Sequence, residues 1–233
     1  DWLTVEEEDR DGELVDEVML GNARVAVSVV PAEDGSIVFL DDRRTRRNLI
    51  AVGPQHDRIR TWLLEEGTTS DEFFAGGAVD LVQSSTPCEV TERRDDEEAG
   101  AFTLSTQQEH DLEGGEGRSL CLDKHVRLPV DGAQVRLTLD AEVHGAPPIL
   151  IATEIPLSLG REMPRLWADG VEVSVASRGL EAARELRVVG PQGTGVEIRI
   201  DPPQEVWIGG VLGTEDVGVV IVPVLRLAQG SHA

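Results

Sequence analysis

The sequence predicts an all-β antiparallel sandwich with one short helix. Three observations carry that prediction. Apolar residues alternate with others over short runs, as in Val25, Val27 and Val29 against Arg24, Ala26 and Ser28, the period of a half-buried strand. Gly, Pro and Asp punctuate such runs at intervals of roughly 10–15 residues, as in sandwiches and barrels. Helical spacing of apolar residues stands out in one stretch, around Ile59, Trp62 and Leu63.

In chain order, residues 13–20 and 23–30 read as strands. A hairpin turn at Asp34-Gly35 leads into a third strand over 36–41. Residues 57–66 read as the helix: Asp57 caps its start, Ile59, Trp62 and Leu63 fall at i, i+3 and i+4, and Gly67 stops it. Residues 68–77 read as a loop. Strands follow over 79–84, 88–93 and 101–107, the last two joined by an acidic tip, and then a glycine-bearing loop over 109–118. Residues 134–144 and 149–159 read as partners across Gly145-Ala146-Pro147-Pro148. Later strands are expected over 171–175, 185–189, 196–200 and 217–227, divided by turns such as Gly190-Pro191 and Asp201-Pro202-Pro203. No fixed-period repeat or low-complexity linker interrupts the 233 residues, so one β-sandwich domain over 1–233 is expected.

The formal net charge of −23 comes from 44 acidic and 21 basic residues. Nucleic acid and anionic membrane are excluded as partners, because both demand a basic surface. Lys124 is the only lysine, a bias that fits a salt-adapted source and a GC-rich genome equally. Cys88 and Cys121 read as buried thiols in preference to a pair. The start, Asp1-Trp2-Leu3, lacks a leader's basic and apolar regions, and no run approaches the ~18 apolar residues of a membrane helix. A cytoplasmic location is expected. With no initiator methionine, the chain is read as a domain excised from a larger enzyme.

Motifs for chemistry are sparse. Glu7, Asp9, Asp11 and Gly12 imitate the start of a calcium loop, but its twelfth position is Val18 and Glu17 misses by one, so the segment reads as an acidic turn. The five histidines have no metal-ligand spacing, and no nucleophile elbow or phosphate loop is present. No metal, cofactor or catalytic residue is therefore assigned. Sugar sites use the apolar faces of aromatic rings. Trp167, just before the turn Ala168-Asp169-Gly170, and Trp207, on a late strand, are the candidate ligand-binding rings, and a core position competes for each. Glu205 and Glu215 flank Trp207 as a candidate carboxylate pair, against a plain reading as exposed strand-end acids.

Two segments bear a likeness to a known family. The first is Asp9-Arg10-Asp11-Gly12, Glu17-Val18-Met19-Leu20-Gly21-Asn22, Val30-Pro31-Ala32-Glu33-Asp34-Gly35-Ser36-Ile37, Phe39-Leu40-Asp41 and Asn48-Leu49. The second is Val206-Trp207, Gly213-Thr214-Glu215-Asp216 and Val222-Pro223-Val224. Together they resemble the C-terminal β-sandwich domain of family-57 glycoside hydrolases, of the α-amylase and 4-α-glucanotransferase type. The chain departs from that pattern at Asp34, at Phe39 and in having no tyrosine. The resemblance implies a galactose-mutarotase-like supersandwich and turns the acidic entry into the family's first turn. It further implies a non-catalytic, carbohydrate-associated role beside a catalytic barrel of the same polypeptide, with an α-glucan or other carbohydrate as ligand. A stand-alone mutarotase-like epimerase is the alternative, with His144 and Glu215 cast as acid and base. A purely structural or adhesive sandwich is the third reading. The ligand-binding candidates are thus Trp207, Glu215, Trp167 and His144.

Overall fold

The computed structural model describes residues 4–8, 17–50, 56–86, 88–96, 101–113, 117–145, 148–176, 178–212 and 217–227. It is almost entirely antiparallel β-structure in a sandwich-like arrangement, with one short helix. The chain divides into two compact units. The first takes Asp1–Asn48, Leu81–Pro148 and Leu227–Ala233; the second takes Leu49–Asp80 and Ile149–Arg226.

In the first unit one sheet runs in chain order: β1 (Thr4–Glu8), β2 (Glu17–Gly21), β3 (Val25–Val30), β4 (Ser36–Asp42) and β5 (Arg47–Asn48). All of β2 and β3 is buried, so these strands are covered on both faces. Asp34 (φ 57°) and Gly35 (φ 60°) turn β3 into β4 at the expected hairpin. The other sheet centres on β9 (Ala101–Leu112). One edge of β9 pairs with β10 (Ser119–Pro129), which pairs with β11 (Arg136–His144). The other edge is shared by β7 (Val82–Ser85) and β8 (Glu89–Asp96). The amide of Asn22 donates to the carbonyls of Pro129 and Gly132, tying the two sheets together.

The second unit is one seven-stranded sheet in the order β14 (Val171–Val173), β13 (Arg165–Ala168), β15 (Gly179–Val189), β16 (Gly195–Leu212), β17 (Val217–Leu227), β12 (Ile149–Ser158), β6 (Arg60–Glu65). One face carries Leu157, Leu166, Leu186, Val188, Val206, Ile208, Val219 and Ile221. The opposite face carries Leu64, Leu150, Ala152, Trp207, Val220, Val222 and Val224, with Phe73 of the helix α1 (Ser70–Phe74) packed on it.

The structure corrects several expectations. Residues 57–66 are not helical; β6 runs through them, antiparallel to β12 from Arg60–Glu154 to Glu65–Ile149. The spacing of Ile59, Trp62 and Leu63 fits a helix, but pairing with β12 places Trp62 and Leu64 on one face and Leu63 on the other. Tertiary burial outweighs a single turn of periodicity. The helix lies instead in the segment expected as a loop, where Thr69 and Glu72 form a capping box. Residues 149–159 do not pair with 134–144: β12 lies between β17 and β6, and β11 pairs with β10. Asp201-Pro202-Pro203 does not end a strand, because β16 continues through it. The β15–β16 register slips between Leu180 and Glu185, and such irregularities accommodate prolines that cannot donate to the ladder. Finally, β10 was not expected at all; Lys124 interrupts its buried row of Leu120, Leu122, Val126 and Leu128.

Gly209 shows how tightly α1 is seated. A Cβ at this position would fall 2.5–2.9 Å from three ring atoms of Phe74. Gly209→Ala is therefore expected to lower stability by about 1–3 kcal/mol through overpacking. Urea denaturation with an unchanged m-value would confirm it.

Candidate functional site

The densest polar and aromatic constellation lies in the second unit, on the sheet face that carries α1. Strand alternation puts Arg60, Trp62 and Leu64 of β6 beside Glu154, Ala152 and Leu150 of β12. Glu154 has no exposed side-chain surface and accepts from three donors. These are His56 Nδ1, Arg60 Nε at 2.9 Å and Trp62 Nε1 at 2.6 Å. The Arg60 guanidinium lies 4.1 Å from the Trp62 ring centroid, and Phe73 meets the same indole edge-on at 5.6 Å. Burial pushes the Glu154 carboxyl up. The hydrogen bonds from His56, Trp62 and Arg60, with the Arg60 charge, outweigh it and hold the group below the usual carboxylate range.

Glu205 repeats the arrangement on β16. One oxygen accepts from Trp207 Nε1 at 2.7 Å, the other from Arg226 at 2.7 Å. Partial burial pushes this carboxyl up too, and the bonds from Arg226 and Trp207 carry it below its ordinary value. Both acids are thus ionised and engaged. Neither is placed to donate a proton at neutral pH, and Glu154 has no accessible oxygen to act as base or nucleophile. They cap the indole N–H groups of tryptophans packed on the sheet and anchor one arginine each.

Trp207, a sequence candidate, is 1% exposed and offers no ring face to a ligand. Trp167 is half-buried on β13, where Asp169 (φ 47°) and Gly170 (φ 81°) make the expected turn into β14. Its cross-strand neighbour on β15, Arg187, pairs with Glu197 of β16, ten positions along the strand from Trp207. The two rings therefore belong to separate parts of the sheet. His144 ends β11 in the first unit, exposed, with Nε2 3.6 Å from Glu142. Glu215 lies outside the described residues, as do Asp9, Asp11 and Gly12.

Two groupings in the first unit escaped sequence reasoning. On one face of the β9–β10–β11 sheet, His125 Nδ1 meets Ser105 Oγ at 2.7 Å and His125 Nε2 meets Asp140 at 3.2 Å. The residue types are those of a hydrolase triad, but Ser105 is 2% exposed and sits within the β9 ladder, so substrate has no path to its hydroxyl. On the opposite face the sole lysine is buried, and Lys124 Nζ donates to the Asp34 carbonyl, pinning the β3–β4 turn. Burial pulls its pKa down, against the opposing charge of Asp34. The alternation of Leu120, Leu122, Val126 and Leu128 was the available signal for β10, but only its pairing with β9 makes Ser105 and His125, and Thr106 and Lys124, register partners.

Cys88 and Cys121 are free and half-buried. Among the described residues no group of three or more His, Cys, Asp or Glu is placed to hold a metal ion. No helix among them is long and apolar enough to cross a membrane.

No protein-family model matches the sequence, and no curated protein matches it. In structure the chain is similar to the 4-alpha-glucanotransferase from Thermococcus litoralis, with a TM-score of 0.72 and 16% sequence identity. The match covers 99% of this chain and 38% of that one. At this identity the likeness is one of fold, and the whole chain corresponds to a minor part of its structural neighbour.

Proposed function

We propose that the chain is a non-catalytic, carbohydrate-associated β-sandwich domain of an α-glucan-acting hydrolase or glucanotransferase of the family-57 type. In this reading residues 1–233 form one galactose-mutarotase-like piece that supports a catalytic barrel on the same polypeptide and lines its substrate cleft. The observation that carries the reading is the fold match, which takes in 99% of this chain but 38% of a 4-alpha-glucanotransferase. The sequence elements at Asp9–Leu49 and Val206–Val224 point the same way. The state of the carboxylates supports a non-catalytic role: Glu154 and Glu205 are each held by a tryptophan N–H and an arginine. An epimerase needs a histidine and a glutamate that both face one sugar. The His56–Glu154 pair does not meet that need, since Glu154 has no exposed surface.

The reading predicts that the native polypeptide is much larger than the 25.2 kDa of this chain. An antibody raised against the chain, used on extract of the source cells, is expected to detect a species large enough to include a barrel. A single band at the mass of the chain alone would overturn the proposal.

A further inference from the structure

The three described tryptophans differ in one respect that bears on binding. The indole N–H groups of Trp62 and Trp207 are each capped by a buried or half-buried glutamate. That of Trp167 has no protein acceptor among the described residues, and its ring is half-buried on a face that points to water. Arg165 lies over the ring, 4.9 Å from its centroid, and is itself held by a two-pronged ion pair to Glu172 at 2.8 Å. Glu172 is the cross-strand neighbour of Trp167 on β14, and Arg187 is its neighbour on β15. Arg187 is exposed and makes no ion pair or side-chain hydrogen bond among the described residues. Next along this face, Glu197 and Arg199 pair with each other at 2.8 Å. With Glu185, the register partner of Arg199, the patch holds three arginines and three glutamates, a local balance on a chain of net charge −23, and the Arg187 guanidinium and the Trp167 N–H are not engaged by another described side chain.

We propose that this face of β13, β14, β15 and β16 is a surface binding site for an α-glucan chain, with Trp167 as the stacking platform. The inference rests on the carbohydrate-associated reading above and assigns it a place. A neutral polyhydroxyl ligand suits a surface without excess charge. Arg165 covers one face of the indole, and the C–H face of a pyranose would stack on the other. Arg187 and the Trp167 N–H supply donors for sugar hydroxyls, and the Glu172 carboxylate accepts from them. The Arg165–Glu172 pair fixes the orientation of the ring before any ligand arrives, which reduces the ordering cost of binding.

The test is calorimetric titration of the 233-residue chain with maltoheptaose, beside Trp167→Ala and Arg187→Ala. The expected result is saturable binding by the unaltered chain, a loss of affinity of about tenfold or more for Trp167→Ala and a smaller loss for Arg187→Ala. Arg187 is exposed, so its variant tests the site even if loss of the half-buried ring impairs folding; thermal unfolding reports which has happened. Equal affinity in both folded variants overturns the site, as does the absence of saturable heat from the unaltered chain. Either result leaves the accessory-domain reading to its own test by native size. Conversely, a native protein no larger than this chain would remove that reading while Trp167-dependent binding still stood.

Discussion

Glu154→Ala is expected to destabilise the chain by about 3–5 kcal/mol, the cost of breaking a buried, hydrogen-bonded charge pair from one side. The substitution strips three donors of their acceptor at once. Trp62 Nε1 and Arg60 Nε lose partners at 2.6 and 2.9 Å, and His56 loses its own. The Arg60 guanidinium, stacked on Trp62 and one-third exposed, loses its ion pair with the buried carboxylate. Urea denaturation monitored by tryptophan fluorescence reads the effect. Glu154→Gln keeps the shape and removes the charge, so a smaller loss there separates electrostatics from cavity formation. The sign of the pH dependence follows from the depressed folded-state pKa. Stability from Glu154 is fully present above the unfolded carboxylate value of about 4.3 and disappears as pH falls through the lower folded value. The acid limb of the stability curve should therefore flatten in Glu154→Gln. An unchanged acid limb would show that other carboxylates set it.

Trp207→Ala is expected to cost about 3–5 kcal/mol, the range for deleting a large buried aromatic side chain. The ring sits among Leu64, Phe73, Leu150, Val220 and Val222, with its centroid 5.6 Å from that of Phe73. Its removal opens a cavity under α1 and takes one of Glu205's two donors. Trp207→Phe fills more of the space but still leaves the Glu205 oxygen without its indole partner, so it should fall between the two. A shift in denaturation midpoint for Trp207→Ala, with maltoheptaose affinity unchanged in the protein that remains folded, is the expected pattern. A stable Trp207→Ala protein that had lost sugar binding would reverse the assignment and make the ring a ligand platform.

The sequence by itself determined the fold class and most of the strands. Period-two alternation and turn chemistry are local, so β3, β4, β11, β12 and β17 could be read directly, and so could the first half of β9 and the Asp34-Gly35 turn; the rest of β9, to Leu112, runs into the segment expected as a loop. The helix was legible as the capping box Thr69–Glu72, but the stronger apolar spacing of Ile59, Trp62 and Leu63 hid it. What only the tertiary structure decided is which strands meet and what each polar side chain does there. Pairing of β12 with β6 is a contact between residues about ninety positions apart, and nothing local announces it. That pairing turns Glu154 from one acid among 44 into the acceptor for His56, Arg60 and Trp62. The same holds for the tryptophans: four equivalent letters in the sequence become, among those described, one buried ring and one half-buried ring whose N–H groups are capped by glutamates, and one half-buried ring beside an exposed arginine. Burial and hydrogen-bond partners are properties of the packed sheet, and a one-dimensional pattern records which face a residue takes but not what covers it.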